Sequence, residues 1–116
     1  MTIEEIQNLA GAWLVMKTGD DDAFDKMYDL THDDPENAWL VIQEISSREI
    51  SGNNMAALAA GPLEDLLVLH GDSFIKRIEI KADNDAQFNY LLGGVWQNKI
   101  SSDVWERIKT IRKEVW

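Results

Sequence analysis

Carboxylates and an imidazole meet an apolar segment in one stretch of this sequence, Ala59-Ala60-Gly61-Pro62-Leu63-Glu64-Asp65-Leu66-Leu67-Val68-Leu69-His70-Gly71. Histidine titrates near neutral pH, and a carboxylate that orients its ring makes it a general base. The spacing opposes that role within one helix. Asp65 precedes His70 by five residues, about 140° round the axis, and Glu64 precedes it by six, about 240°. The competing reading is local electrostatics: Glu64 and Asp65 at the positive N-terminal end of a helix, His70 in its last turn bonding neighbouring backbone.

Metal and nucleophile chemistry have less support. His32 and His70 are the two histidines and there is no cysteine. Asp20-Asp21-Asp22-Ala23-Phe24-Asp25 has the opening of a calcium loop, but the sixth position is Asp25 instead of glycine and the twelfth is Thr31 instead of glutamate. Ser46, Ser47, Ser51, Ser73, Ser101 and Ser102 fall at helix ends or in connections, where capping explains several of them. Gly93-Gly94 lacks the following Lys-Ser/Thr of a phosphate loop. The expectation is a non-enzymatic chain with no cofactor and no metal site.

Charge is the other lead. The net charge is −10, with −9 of it in residues 1–58. Phosphate binding needs clustered Lys and Arg, so direct nucleic-acid binding is not expected, whereas a basic protein is a natural partner. From Asp20 to Glu36 there are eight acids and one Lys or Arg, Lys26. One reading is capping and a solvated face. The sharper one is a docking face of Asp20, Asp21, Asp22, Asp25, Asp29, Asp33 and Asp34, whose carboxylates occupy the groove of a nucleic-acid-binding protein such as a nuclease. Bacterial immunity proteins and some phage anti-defence proteins act in this way. Of the five tryptophans, Trp13, Trp39 and Trp105 have core spacing. Trp96 and Trp116 are candidate contacts for a partner or a second copy, Trp116 with the alternative of packing back on the domain.

The elements that must position these residues are all helical. Apolar spacing and capping residues predict helices over 2–17, with a Thr2/Glu5 capping box, 20–30, with Phe24, Met27 and Tyr28 inward, and 33–48, with Pro35 at the first position. Further helices are expected over 55–60, over 62–70 with Gly61 as N-cap and Gly71 as terminator, and from Asp72 or Ser73 to Ala82. The last two run from Asp85 to Leu92 and from Ser101 through Val115. The central helix, with Leu63, Leu66, Leu67 and Leu69, is expected to be buried on several sides. No stretch alternates with period two. With 116 residues, 45% hydrophobic, this is one all-α domain over 1–116 of seven or eight short helices, an irregular orthogonal bundle or a HEAT-like array. The lack of cysteine, the acidic N-terminus and the shortness of every apolar run lead us to expect a soluble cytoplasmic protein without a signal peptide or membrane span.

Several motifs lift the chain out of anonymity: Asp34-Pro35-Glu36 with Ala38-Trp39, Gly61-Pro62-Leu63-Glu64-Asp65-Leu66-Leu67 followed by His70-Gly71, Phe74-Ile75 with Arg77-Ile78-Glu79, Leu91-Leu92-Gly93-Gly94-Val95-Trp96-Gln97-Asn98, and Val104-Trp105-Glu106-Arg107. On these, residues 33–107 resemble a family of small helical bacterial proteins of unknown function. The resemblance implies a helical fold and a bacterial source, and it implies no activity.

Overall fold

A computed structural model describes residues 1–15 and 22–116, and no strand is present among them. Helix α1 (Ile3–Leu14) opens with the expected capping box: Thr2 Oγ1 accepts from the Glu5 amide at 3.1 Å, and the Thr2 amide donates to Glu5 Oε1 at 2.9 Å. Ile6, Leu9, Ala10 and Trp13 form its buried face, while Ile3 lies in solvent. Helix α2 (Asp22–Asp33) gives way at once to α3 (Pro35–Ser46). Asp34 makes the break, its carboxylate accepting from the Asn37 side chain at 2.6 Å while Pro35 begins the new helix where no N–H is needed.

Helix α3 buries Ala38, Trp39, Val41, Ile42 and Ile45, all five as the spacing predicts. It packs against α1 and α2 on one side and later helices on the other. The Trp39 ring meets Phe74 and Phe88 edge-on at 6.2 and 5.6 Å, joining the two halves of the core.

The middle of the chain departs from expectation. Helix α4 (Gly52–Leu58, capped by Ser51) does not end before Gly61-Pro62. It runs through a π-helical turn, Ala59–Leu63, into α5 (Glu64–Asn84). Gly61 therefore caps nothing, and Pro62 lies inside a helical segment. Proline has no N–H for the carbonyl four residues back and its ring crowds that carbonyl, and the wider π turn relieves both. Gly71 does not terminate the helix either. His70 leaves helical geometry (φ −137°, ψ 24°), the axis kinks, and the helix resumes. Gly71 is a packing residue, since a Cβ there would lie 3.2 Å from Val104 Cγ2 on the facing helix. Three expected helices are thus one kinked segment, and the described residues contain six continuous helical segments instead of seven or eight. Leu63, Leu66 and Leu67 are buried as expected, but Leu69 is exposed.

Helix α6 (Ala86–Leu92) is capped by Asp85 and α7 (Ser102–Ile111) by Ser101. Burial raises the Asp85 carboxyl, but the Phe88 amide and Lys81 outweigh it and hold the group below its ordinary range. The last helix stops at Ile111 and does not continue through Val115, which is exposed. The tail instead folds back: the Trp116 amide donates to Gly93 O at 2.9 Å, its Nε1 donates to Tyr90 O at 2.7 Å, and its ring stacks on Tyr90 at 5.2 Å. The architecture is an irregular bundle around α3 and α5, with α7 laid along α5, and not a regular stack of helix pairs.

Gly93 and Gly94 make the tail contact possible. A Cβ on Gly94 would fall 2.5 Å from Trp116 Cη2. Gly94→Ala should cost about 1–3 kcal/mol in denaturant unfolding. In a double-mutant cycle with Trp116→Ala most of that cost should vanish, because the clashing ring is gone. A cost independent of Trp116 would refute the tail contact.

Candidate functional site

Successive side chains on α2 turn by about 100°, which sorts the helix into three strips. Ala23, Met27 and Thr31 face the core. Asp22, Asp25, Asp29 and Asp33 fall within about 80° of arc on the outer side, and all four are exposed. Between these strips runs a ridge of Phe24, Tyr28 and His32. Phe24 and Tyr28, expected in the core, are 49% and 50% exposed. The four-residue repeat of aromatic rings was present in the sequence, but apolar type alone assigned it to the interior.

Among the described residues, none of Asp22, Asp25, Asp29 and Asp33 has a Lys or Arg within ion-pair reach, although five ion pairs form elsewhere. Asp34 differs, being used as the cap of α3. Asp20 and Asp21 lie outside the described residues. Beside the acidic strip, Leu9 and Leu30 floor an open depression of about 270 Å³ edged by Asp29, Asp33 and Asp34, with Lys26 also on its rim.

On the other flank of the aromatic ridge stands the start of α5. Tyr28, His32, Glu64, Asp65, Val68, Leu69, Asn98 and Lys99 line an open depression of about 510 Å³. The connection between α6 and α7 reaches it through Asn98, which adopts a left-handed conformation (φ 41°) and donates from Nδ2 to Glu64 Oε2 at 3.0 Å. His32 donates from Nδ1 to the Tyr28 carbonyl at 2.8 Å, its ring 4.0 Å from that of Tyr28. Burial pushes the Asp65 carboxyl above its ordinary range, the neighbouring Glu64 charge adds to this, and His32 opposes it. Spacing along α5 could not reveal that the imidazole near Asp65 is His32 of α2 and not His70.

His70 has a different position. Its Nε2 donates to the Thr31 carbonyl at 2.9 Å, tying the kink of α5 to α2. The bond crosses to another helix, and His70 is not in a last turn, because α5 resumes after the kink and runs on to Asn84; the depression beside α2 does not include it with Glu64 and Asp65. Trp96 is 66% exposed on the connection before α7, and Trp116 is packed back on α6. Among the described residues no group of three His, Asp or Glu converges as a metal site, and no helix is long and apolar enough to cross a membrane.

Fold and geometry together define a small all-α protein whose outer surface carries an acidic strip and an aromatic ridge. The chain belongs to the family described as Family of unknown function (DUF6869), whose model matches residues 16–115, well beyond the span the motifs alone suggested. No curated protein and no solved structure matches it.

The raised Asp65 carboxyl sets the sign of a pH effect. An acid more easily protonated when folded contributes stability fully present below its unfolded pKa and lost as pH rises through its folded pKa. Asp65→Asn should therefore have a Tm equal to or above that of the wild type at pH 7, and the difference should shrink or reverse at pH 4. A lower Tm for the variant at pH 7 would contradict the strain assigned to this group.

Proposed function

We propose that this protein is a non-enzymatic binding module that docks a basic protein through the outer face of α2. The observation that carries the reading is the row Asp22, Asp25, Asp29 and Asp33, exposed and without cationic partners among the described residues. Four aligned carboxylates left unneutralised repel one another at small cost in water and attract a basic surface over about a Debye length. The apolar depression beside them adds what charge alone lacks, an area from which a partner side chain can expel water. A partner whose basic groove ordinarily holds phosphates, as a nuclease toxin's does, would be blocked by such a row, which makes an immunity or inhibitor role in the cytoplasm the specific form of this proposal. Binding is preferred over catalysis because the Nε2 of His70 is committed to Thr31.

The test is capture of the partner from native lysate at low salt, with the wild type and with Asp25→Lys/Asp29→Lys. Charge reversal should slow association on the order of tenfold at low salt and flatten the salt dependence. Undiminished binding by the double variant would remove the reading.

The exposure of Trp96 favours a second one, self-association through that ring. On that reading sedimentation shows a concentration-dependent dimer that Trp96→Ser abolishes, whereas a monomer at every concentration discards it.

A further inference from the structure

Two polar groups lack mates at one place. Trp13 is only 4% exposed, yet its Nε1–H has no acceptor among the described residues. Asp65 carries a carboxyl raised by burial and has no hydrogen-bond donor among those residues to offset it. Both line one small pocket of about 20 Å³, together with Phe24, Tyr28 and Pro62. A buried donor without an acceptor lowers stability, and so does a partly desolvated carboxylate without a donor. The two do not satisfy each other. A group presenting one acceptor and one donor would satisfy both.

The surroundings narrow that group. The small pocket has room for about one water-sized atom. Tyr28 and Asp65 are shared with the open depression of about 510 Å³ beside it, where the Glu64 carboxylate also stands. That depression suits a planar cation: a half-exposed phenol ring whose other neighbour is the His32 ring, and two carboxylates to accept, opposed by the ammonium of Lys99 and by His32. Resting on the basic-partner reading above, we propose that the cleft between α2 and the start of α5 seats an arginine of that partner. The guanidinium lies against the Tyr28 ring and donates to Asp65. A main-chain carbonyl oxygen of the same segment enters the small pocket and accepts from Trp13 Nε1. Guanidinium fits better than ammonium because its flat face stacks on an aromatic ring and its fork matches a carboxylate.

Nuclear magnetic resonance tests this on the intact chain. The probe is acetyl-Gly-Arg-Gly-amide, titrated against the ¹⁵N-labelled protein while the Trp13 indole N–H is followed. The control is the same peptide with citrulline, uncharged and nearly isosteric, in place of arginine. The expected result is a saturable shift of the Trp13 resonance with the arginine peptide. Binding should be roughly tenfold or more weaker for the citrulline peptide, and weaker by a similar factor for Asp65→Asn with the arginine peptide. No saturable shift, as when water alone fills the small pocket, overturns the proposal, and so does equal binding of the two peptides. The Asp25→Lys/Asp29→Lys variant separates the two readings. At high salt it should still bind the arginine peptide with Asp65-dependence, whatever it does to partner capture. Partner capture that needs Asp25 and Asp29 but is indifferent to Asp65→Asn and Tyr28→Leu leaves the acidic face standing and overturns the arginine pocket.

Discussion

A proline in mid-helix is the constraint on which this structure turns. Pro62 has no N–H to give the carbonyl of Leu58, and its ring would crowd that carbonyl in an α-helix. A chain can answer by breaking the helix or by widening it. Here Leu58, Ala59 and Leu63 are fully buried, so a break would strip apolar side chains from the core. The helix widens into a π turn and continues. Because the backbone is carried through, Glu64 and Asp65 emerge directly beside α2, not at the mouth of a loop, and the position of their carboxylates follows from the core packing that precedes them.

Two long-range hydrogen bonds then fix what the π turn has placed. His70 holds α5 to α2 at the Thr31 carbonyl, a residue whose own hydroxyl donates to Met27 O at 2.8 Å. Asn98 holds the α6–α7 connection to Glu64. The ridge of α2, the start of α5 and that connection therefore form one side of the molecule. Exposed ion pairs such as Arg77 with Glu36 and Arg107 with Glu79 lie elsewhere on the surface, and such pairs contribute little to stability.

Local rules made the helix boundaries legible wherever one rule acted alone. Thr2 with Glu5, Asp34 before Pro35, Asp85 and Ser101 all cap as their types suggest, and the core face of α3 follows from its apolar spacing, whereas α4 starts at Gly52, three residues before the expected Met55. Reading failed where two answers to one residue compete. Gly61-Pro62 has the same letters at a helix start as inside a π turn, and burial of the flanking residues decides between them. Gly71 suits a terminator by its conformational freedom and suits a close crossing by its lack of a Cβ, and only the position of Val104 decides. Phe24 and Tyr28 are apolar enough for the core, but Ala23, Met27 and Thr31 had already filled the inward strip of α2. The acidic row was legible as composition. Its neighbour, the Tyr28–His32–Asp65 cleft, was not, because Asp65 lies more than thirty residues from Tyr28 and His32 and meets them only through the folding of α2 against α5.

The departures from local rule are not scattered. Pro62 sits in a π turn, His70 is non-helical inside a helix, Asn98 is left-handed without being glycine, the buried Trp13 indole N–H has no acceptor among the described residues, and the Asp65 carboxyl is raised by burial. A fold selected for stability alone has cheap remedies for most of these: alanine for Pro62, glycine for Asn98, phenylalanine for Trp13, asparagine for Asp65. Pro62, Trp13 and Asp65 line the small pocket, Asn98 lines the depression beside it, and His70 is bonded to Thr31, which lines the small pocket too. Sequences agree with their folds nearly everywhere, and disagreement gathers where a site asks for something other than stability. The convergence of five such disagreements on one cleft, beside an acidic row without cationic partners among the described residues, is the strongest physical reason to look for this protein's function on that side of the molecule.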